Sequence, residues 1–221
     1  MNVYALFSQT ERQRVSDGIT VPILSGCESA PRQLVLLLPQ LGDFDSLEYA
    51  WWLQRERDRL QTEGVAIRAV GIGDRGSGQQ FCAYTGFPSD WLFVDPIADL
   101  HQQLTLYAGL SLKLPGLSVA QNAWLNLMLM CAGIGSPGTL TEVFRGYRGD
   151  RQAPQLIADE ETIQAAPLPP LKGSFFQWAG GKGFQRPFEL ATLRLRNMGE
   201  VLSHWKTNVP DSAYLTQRGA T

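Results

Sequence analysis

Cysteine is scarce in this chain, and the cysteines present lie far apart in the sequence. Cys27, Cys82 and Cys131 are the only three among 221 residues. A domain stabilised by disulfides needs more cysteines at closer spacing. The count therefore excludes a disulfide framework and indicates a reducing compartment.

Long apolar runs are also missing. The longest, from Leu125 to Ile134, is interrupted by Asn126 and is shorter than the ~20 residues of a membrane-spanning helix. The N-terminal residues lack the basic region and apolar core of a secretory signal. We therefore expect a soluble, cytoplasmic protein, with peripheral attachment to a membrane as the open alternative.

Neither sign of charge dominates. The 19 Lys and Arg residues nearly balance 21 Asp and Glu residues, so the formal net charge is −2. Nucleic-acid binding depends on neutralising phosphates, and this balance argues against it. Arg145, Arg148 and Arg151 form a candidate anion-binding or partner-binding surface in the slightly basic second half, although dispersed surface charge is the simpler explanation.

Strands and helices alternate between residues 33 and 104. Three short apolar runs are typical of buried strands: Gln33 to Leu38, Val65 to Val70 and Trp91 to Val94. Three segments carry helix start and stop signals: Asp45 to Gly64, Ser77 to Thr85 and Asp95 to Leu104, with Asp45 and Asp95 as N-caps. Short connections in this order predict parallel strands joined by crossover helices.

Other patterns predict elements outside this alternation. A capping box at Thr10 favours a helix that ends near Gly18. Residues 109–137 favour an inserted helical segment, residues 153–157 the entry to a strand, and residues 175–178 an edge strand. The final helix has a stripe predicted to pack inward: Ala191, Leu195, Met198, Leu202 and Trp205. We predict one domain over residues 1–221, with its core at about 30–107 and 150–206 and a helical insertion at about 109–146.

Several stretches match a known family pattern. They are Leu34 to Leu38, Ala66 to Gly71, Tyr84 to Pro88 and Phe93 to Pro96, together with residues 8–18 and 215–219. On these residues the chain resembles the AhpC/TSA branch of the peroxiredoxins and is similar to its cyanobacterial members. The resemblance implies an α/β, thioredoxin-like fold, with a central mixed sheet flanked by helices, a helical insertion and a C-terminal helix.

The resemblance also locates a reactive loop. In the family, the loop after the first central strand presents a cysteine at a helix N-terminus, where the helix dipole stabilises the thiolate. The corresponding loop here is Gly42-Asp43-Phe44-Asp45-Ser46, which has no cysteine. A serine hydroxyl is too weakly acidic to replace a thiolate, and Asp43 and Asp45 would repel an anion. Pro154 is the candidate for the cis-proline that faces this loop in thioredoxin folds.

Two patterns offer alternative chemistry. Cys82 is a candidate thiol, although a cysteine between aromatic neighbours is more often a small buried hydrophobe. Gly71, Gly73 and Gly76 follow a strand in the order G-x-G-x-x-G, and Asp95 lies near the spacing of a ribose-binding acid. A glycine-rich turn is the simpler explanation of this pattern, so we expect no cofactor. His101 and His204 lie far apart in the sequence, so we also expect no metal site.

The sequence favours a catalytically degenerate peroxiredoxin-like protein that acts as a binding, assembly or regulatory factor. Its partner would be a protein, either free or part of a membrane-associated complex. The candidate contact residues are Trp124, Met128 and Met130. The alternatives are a divergent thiol-dependent antioxidant oxidoreductase that uses Cys82 and an NAD(P)-binding oxidoreductase that uses the glycine turn.

Overall fold

The computed structural model describes residues 2–131, 133–136, 155–180 and 185–221. It divides into two compact units. The first comprises the chain up to Asn126 together with His204–Thr221, and the second comprises Leu127–Ser203. Pro154 and the three arginines of the candidate basic surface lie outside the described residues.

A five-stranded mixed sheet forms the first unit. Its strands are β1 (Glu11–Arg14), β2 (Thr20–Pro22), β3 (Arg32–Gln40), β4 (Val65–Ile72) and β5 (Leu92–Val94). They lie in the order β2-β1-β5-β4-β3, with β3, β4 and β5 parallel and β1 antiparallel to both of its neighbours. The three predicted parallel strands and the mixed α/β class are confirmed.

Helices connect and cover these strands. They are α1 (Val3–Gln9), α2 (Phe44–Thr62), α3 (Arg75–Thr85) and α4 (Asp99–Gln103). The α2 and α3 helices connect β3 to β4 and β4 to β5. Gly64 follows the end of α2 with a φ of +70°, which is the left-handed conformation predicted for a residue after a helix.

The apolar runs of the parallel strands form the core of the first unit. Leu37, Val70 and Phe93 are cross-strand neighbours and belong to one buried cluster. Leu36 and Leu38, which point to the other face of the sheet, are buried as well. A strand buried on both faces needs a continuous apolar run rather than an alternating one, and this explains the composition of β3.

Between residues 155 and 203, the described part of the second unit contains a small two-stranded sheet and two helices. The strands are β6 (Thr162–Ile163) and β7 (Leu171–Lys172), and the helices are α6 (Gly173–Gly180) and α7 (Gln185–Ser203). Ile157, Ile163, Ala165 and Phe176 form its buried cluster. The Ala166–Pro167 peptide bond is cis.

A helix within the predicted insertion crosses from one unit into the other. This helix is α5 (Val119–Cys131), and its first part, up to Asn126, belongs to the first unit. There Trp124 stacks on Trp205 of α8 (Trp205–Asn208), with ring centroids 4.8 Å apart. None of the helices within the described ranges has the length and apolar character needed to span a bilayer.

Four predicted elements are wrong. The helix expected after Thr10 is replaced by β1, because pairing with β2 and β5 outweighs a local capping pattern. Residues 175–178 lie in α6, which buries Phe176 in the second unit's cluster. Residues 155–157 form no strand. The helix expected from Asp95 begins only at Asp99, because residues 95–98 form a turn with Ala98 at a φ of +53°.

The predicted packing stripe of α7 is only partly buried. Leu195 packs against the second unit's cluster, whereas Met198 and Leu202 are exposed. Glu189 is buried instead, and its Oε2 accepts a hydrogen bond from the backbone N–H of Leu156 at 3.0 Å. This hydrogen bond gives the buried carboxyl group of Glu189 a partner within the second unit.

Candidate functional site

The loop between β3 and α2 lies at the carboxyl end of the parallel strands. Asp43, rather than the predicted Asp45, is the N-cap of α2. Its Oδ2 accepts a hydrogen bond from the backbone N–H of Asp45 at 3.0 Å. Phe44 is the first residue of the helix and is half-buried. The helix N-terminus is therefore capped by a carboxyl group of its own chain.

Ser46 points into the protein. Its side chain has an exposed fraction of 0%. Its Oγ donates a hydrogen bond to the carbonyl oxygen of Gln40 at 2.9 Å. The hydroxyl near the expected position of the family's cysteine is thus buried and already bonded.

A C-terminal segment, residues 208–220, lies against this loop. The Gly42 N–H donates to the Asn208 carbonyl oxygen at 3.1 Å. A Cβ on Gly42 would lie 2.7 Å from that same oxygen, so residue 42 must be glycine for this approach. Arg218 Nη1 lies 2.9 Å from Asp45 Oδ2 and forms an ion pair with it.

The same segment also contacts the end of β3. Gln40 Nε2 donates to the carbonyl oxygen of Asp211. Leu37 and Ala220 exchange two backbone hydrogen bonds of 2.8 and 2.9 Å as an antiparallel pair. Sequence reasoning missed these contacts because the partners are more than 160 residues apart and no local pattern connects them.

Asp43 has an altered proton affinity. Burial raises its pKa to about 7, with a further contribution from the negative charge of Asp45, while the positive charge of Arg218 opposes the rise. Near neutral pH the N-cap therefore changes between a neutral and a charged carboxyl group. The helix end can adopt either charge state with little free energy difference.

This pKa predicts a pH-dependent stability. Between pH 4 and 7, approximately, the folded chain retains a proton on Asp43 that the unfolded chain has released. The contribution of this group to the free energy of unfolding therefore falls as the pH rises through that range. Asp43→Asn keeps an N-cap oxygen and should remove this contribution, as measured by urea denaturation at several pH values. An unchanged pH slope in the variant would contradict the assignment.

The glycine turn after β4 is explained by close packing. A Cβ on Gly71 would lie 2.2 Å from Cδ2 of Leu41, and one on Gly73 would lie 2.3 Å from Oγ of Ser77. Gly73 also has a φ of +157°, which L side chains rarely adopt. Gly76 is less constrained, since its nearest neighbour, Asp74 Oδ1, is 3.3 Å from the Cβ position.

The carboxylates near this turn already have partners. Asp74 caps α3 by accepting the Ser77 N–H on Oδ1 at 2.8 Å. Asp95 is buried, lies 3.3 Å from Nε of Arg12 and accepts the Leu100 N–H at 2.9 Å. Asp95 thus stabilises the start of α4 although it is not the N-cap of that helix.

The packing of the turn predicts an asymmetric response to alanine. Gly71→Ala should lower the free energy of unfolding by about 1–3 kcal/mol, because the added methyl group overpacks the contact with Leu41. Gly76→Ala is the matched control and should change it by less than about 1 kcal/mol. Urea denaturation measures both values. Equal losses in the two variants would contradict this explanation.

Comparison with protein families identifies the chain. A family model described as AhpC/TSA antioxidant enzyme matches residues 52–221, which is more than half of the sequence. The chain belongs to this family. The match begins within α2, after the loop at Gly42 to Ser46, so it does not itself include that loop. No curated protein and no solved structure matches the chain.

Membership in the AhpC/TSA family agrees with the observed sheet. The resemblance to peroxiredoxin-like, thioredoxin-superfamily proteins is confirmed, as is the mixed α/β fold with helices around the sheet. The cyanobacterial origin and the loss of the reactive cysteine remain predictions.

The cysteines of this AhpC/TSA family member have different environments. Cys82 is half-buried on α3, and burial raises the pKa of its thiol to about 12. Cys27 is buried, which also raises its thiol pKa. Cys131 is exposed on α5. Cys82, the candidate thiol, therefore lacks the cationic surroundings that activate a thiolate.

The histidines show no ligand arrangement. His101 is buried, and its Nε2 lies 2.9 Å from the carbonyl oxygen of Leu38, so this nitrogen donates. Burial lowers the pKa of His101, which favours the neutral ring. Within the described parts of the chain, no three His, Cys, Asp or Glu residues are grouped as metal ligands.

The three candidate contact residues on α5 differ in exposure. Met130 is buried, with 1% of its surface exposed, and Trp124 is half-buried against Trp205. Met128 has 50% of its surface exposed. Met128 is therefore the one of these three that presents a large apolar surface to solvent.

Proposed function

We propose that this protein is a catalytically degenerate member of the AhpC/TSA family that acts as a binding, assembly or regulatory factor. The observation that carries the proposal is the loop at the N-terminus of α2. It contains no cysteine, its N-cap is an aspartate, and its serine hydroxyl is buried. The chain keeps the fold of the family, whereas the side chains of the loop, Asp43 and Ser46, form hydrogen bonds to its own backbone.

The chemistry of peroxide reduction explains why the loop matters. A thiolate sulfur attacks the peroxide and becomes a sulfenic acid, which a second thiol then reduces. Ser46 Oγ has no equivalent oxidised state and donates its hydrogen to Gln40. The ion pair of Asp45 with Arg218 adds a further contact at the first turn of α2.

The thiol alternative depends on Cys82. A thiol with a pKa of about 12 is almost entirely protonated at neutral pH, and the protonated form is a poor nucleophile. This environment favours a packing role for Cys82. If this alternative is right, the protein reduces peroxide and Cys82→Ser loses that activity.

The dinucleotide alternative depends on the N-terminus of α3. A bound pyrophosphate would need the backbone N–H groups there. The carboxylate of Asp74 accepts one of them and would repel the phosphate. Asp95, the candidate ribose ligand, is buried beside Arg12. These contacts favour a structural role for the glycine turn.

A binding role also needs a surface for the partner. Met128 is exposed on α5, in a part of the chain that lies outside the strand–helix alternation of the sheet. We propose a protein partner, in the cytoplasm or in a complex at a membrane surface. A flexible thioether suits such a contact because it adapts to the shape of the partner.

The first test measures peroxide turnover. With dithiothreitol or thioredoxin as reductant, the protein and Cys82→Ser should consume hydrogen peroxide and an organic hydroperoxide at the rate of the buffer alone. The reason is that no activated thiolate lies at the family's reactive position. A rate that exceeds the buffer and is lost in Cys82→Ser would instead establish the thiol-dependent alternative.

The second test measures binding in the source organism. An affinity-tagged chain, expressed at its native level, should retain a defined set of proteins by quantitative mass spectrometry when compared with the tag alone. Met128→Lys should reduce their recovery at least about fivefold, since a buried charge disrupts an apolar contact. The matched control is Ile19→Lys, because Ile19 is exposed to a similar extent on the first unit. Recovery equal to the tag alone would overturn the proposal.

A further inference from the structure

We infer that His101 is an acid-sensitive latch, which holds residues 96–106 against the sheet of the first unit and releases them when its ring takes up a second proton. These residues, the α4 segment, comprise α4 and the turns on either side of it. The latch lies wholly within the first unit and goes beyond the proposed binding function. It is supported by the burial of the ring, by the scarcity of other buried contacts and by the backbone conformation at both ends of α4.

The imidazole ring of His101 is enclosed by protein. Its exposed fraction is 0%. Nε2 donates to the carbonyl oxygen of Leu38 at 2.9 Å, so the neutral ring carries its proton on Nε2. Nδ1 is buried too, and it has no hydrogen-bond partner within the parts of the chain that the structure describes. One hydrogen bond of the ring therefore joins α4 to the end of β3, and the second ring nitrogen is left without a partner.

Protonation changes the chemistry of this second nitrogen. The added proton turns Nδ1 into a donor and gives the ring a positive charge, and a buried charged donor without an acceptor costs free energy. Burial accordingly lowers the pKa of His101, against smaller opposing effects of the Leu38 carbonyl group and the Asp95 carboxylate. The charged ring is therefore more stable in water than in this site.

The charged and titratable groups around the ring do not supply the missing acceptor. Asp95 uses both carboxylate oxygens, since Oδ1 lies 3.3 Å from Arg12 Nε and Oδ2 accepts a backbone N–H at 2.9 Å. Asp99, on α4 itself, pairs with Arg12 Nη2 at 2.5 Å. Tyr214, from the C-terminal segment, donates its hydroxyl hydrogen to a backbone carbonyl oxygen at 3.0 Å. Residues 33–40 of β3 are uncharged. Arg12 thus offsets both carboxylates and limits their attraction for a charged ring.

Few other buried side chains hold the α4 segment. Ala98, Leu100 and His101 are its buried residues. Leu100 belongs to the apolar cluster of the sheet, and Leu104 and Leu106 pack against that cluster while remaining partly exposed. The α4 helix has five residues, and a helix of that length is not stable without tertiary contacts. Loss of the His101 contact therefore leaves Leu100 as the main buried anchor.

The ends of α4 have the conformation expected of hinges. Ala98 has a φ of +53° and Thr105 a φ of +52°, a left-handed conformation that is costly for residues with a Cβ. Beyond these hinges the chain is anchored. The Asp95 N–H donates to a carbonyl oxygen of β4 at 3.0 Å, and the Tyr107 carbonyl oxygen accepts the Arg218 N–H at 2.9 Å. Opening is therefore confined to the residues between the two anchors, and it relieves the strain at both hinges.

Hydrogen–deuterium exchange of the full chain, measured by mass spectrometry at about pH 7.5 and about pH 5, tests the latch. The reporters are the bonded N–H groups of Gln102, Leu104 and Leu106. After correction for intrinsic exchange rates, protection of the α4 segment should fall at least about fivefold at the lower pH, because the open form binds a proton more readily than the closed form. Protection of β4 should not fall with it, since the sheet does not open.

His101→Gln separates the latch from other effects of acid. The glutamine amide can donate to Leu38 and does not titrate, so protection of the α4 segment should no longer depend on pH. His204→Gln is the matched control, because it replaces the second histidine of the chain, which is exposed, and should retain the dependence. Protonation of Asp43 stabilises the fold at lower pH and so has the opposite sign. Equal pH dependence in His101→Gln, or an equal loss of protection in β4, would overturn the inference.

A second measurement does not require a variant at His101. The chain has two histidines, and the ring signal that is missing from the NMR spectrum of His204→Gln belongs to His204. The remaining signal, that of His101, should titrate at a lower pH in the folded chain than in the chain unfolded in urea. Titration at or above the value of the unfolded chain would overturn the latch. The peroxide and co-purification experiments measure other groups, so their outcomes do not depend on this result.

Discussion

Gly42 has no side chain, and this allows the backbone of Asn208 to lie directly against the loop between β3 and α2. The Gly42 N–H donates to the Asn208 carbonyl oxygen, where any Cβ would come within 2.7 Å of that oxygen. From Asn208 the chain runs on to Arg218, whose guanidinium binds Asp45 at the first turn of α2. The close approach at one glycine thus brings the C-terminal segment to the loop that the family resemblance assigns to the reactive position.

The N-terminus of α2 is capped by an aspartate, Asp43. The partial positive charge of a helix N-terminus stabilises any anion placed there, either a thiolate or a carboxylate. In this chain Asp43 provides the acceptor for the backbone, and Arg218 offsets the accumulated negative charge of the two aspartates. Burial and the charge of Asp45 nevertheless raise the pKa of Asp43 to about 7, so near neutral pH this helix end carries a carboxyl group that is only partly charged.

The parts of the fold that sequence patterns predicted are those stabilised locally or by continuous burial. The apolar run of β3 and the left-handed residue after α2 are examples, since each is encoded within a few residues. The pairing of β1 with β5 and the burial of Glu189 depend on distant partners, so a capping box and an apolar stripe were misleading there. The site was predicted in part: its loop follows from the resemblance, but no local pattern indicates Arg218 or Asn208.

Arg218 connects the loop between β3 and α2 to the segment that follows α4. Its guanidinium binds Asp45, while its backbone N–H donates to the carbonyl oxygen of Tyr107 in that segment. The ion pair lies at the surface, since 53% of the Asp45 side chain is exposed, and an ion pair in contact with water contributes little to stability. The backbone contacts of the C-terminal segment, at Gly42, Leu37 and Tyr107, therefore fix its position more than the ion pair does. Arg218 therefore links the first turn of α2 to the segment after α4 through one side-chain contact and one backbone contact, and neither contact is encoded by a local sequence pattern.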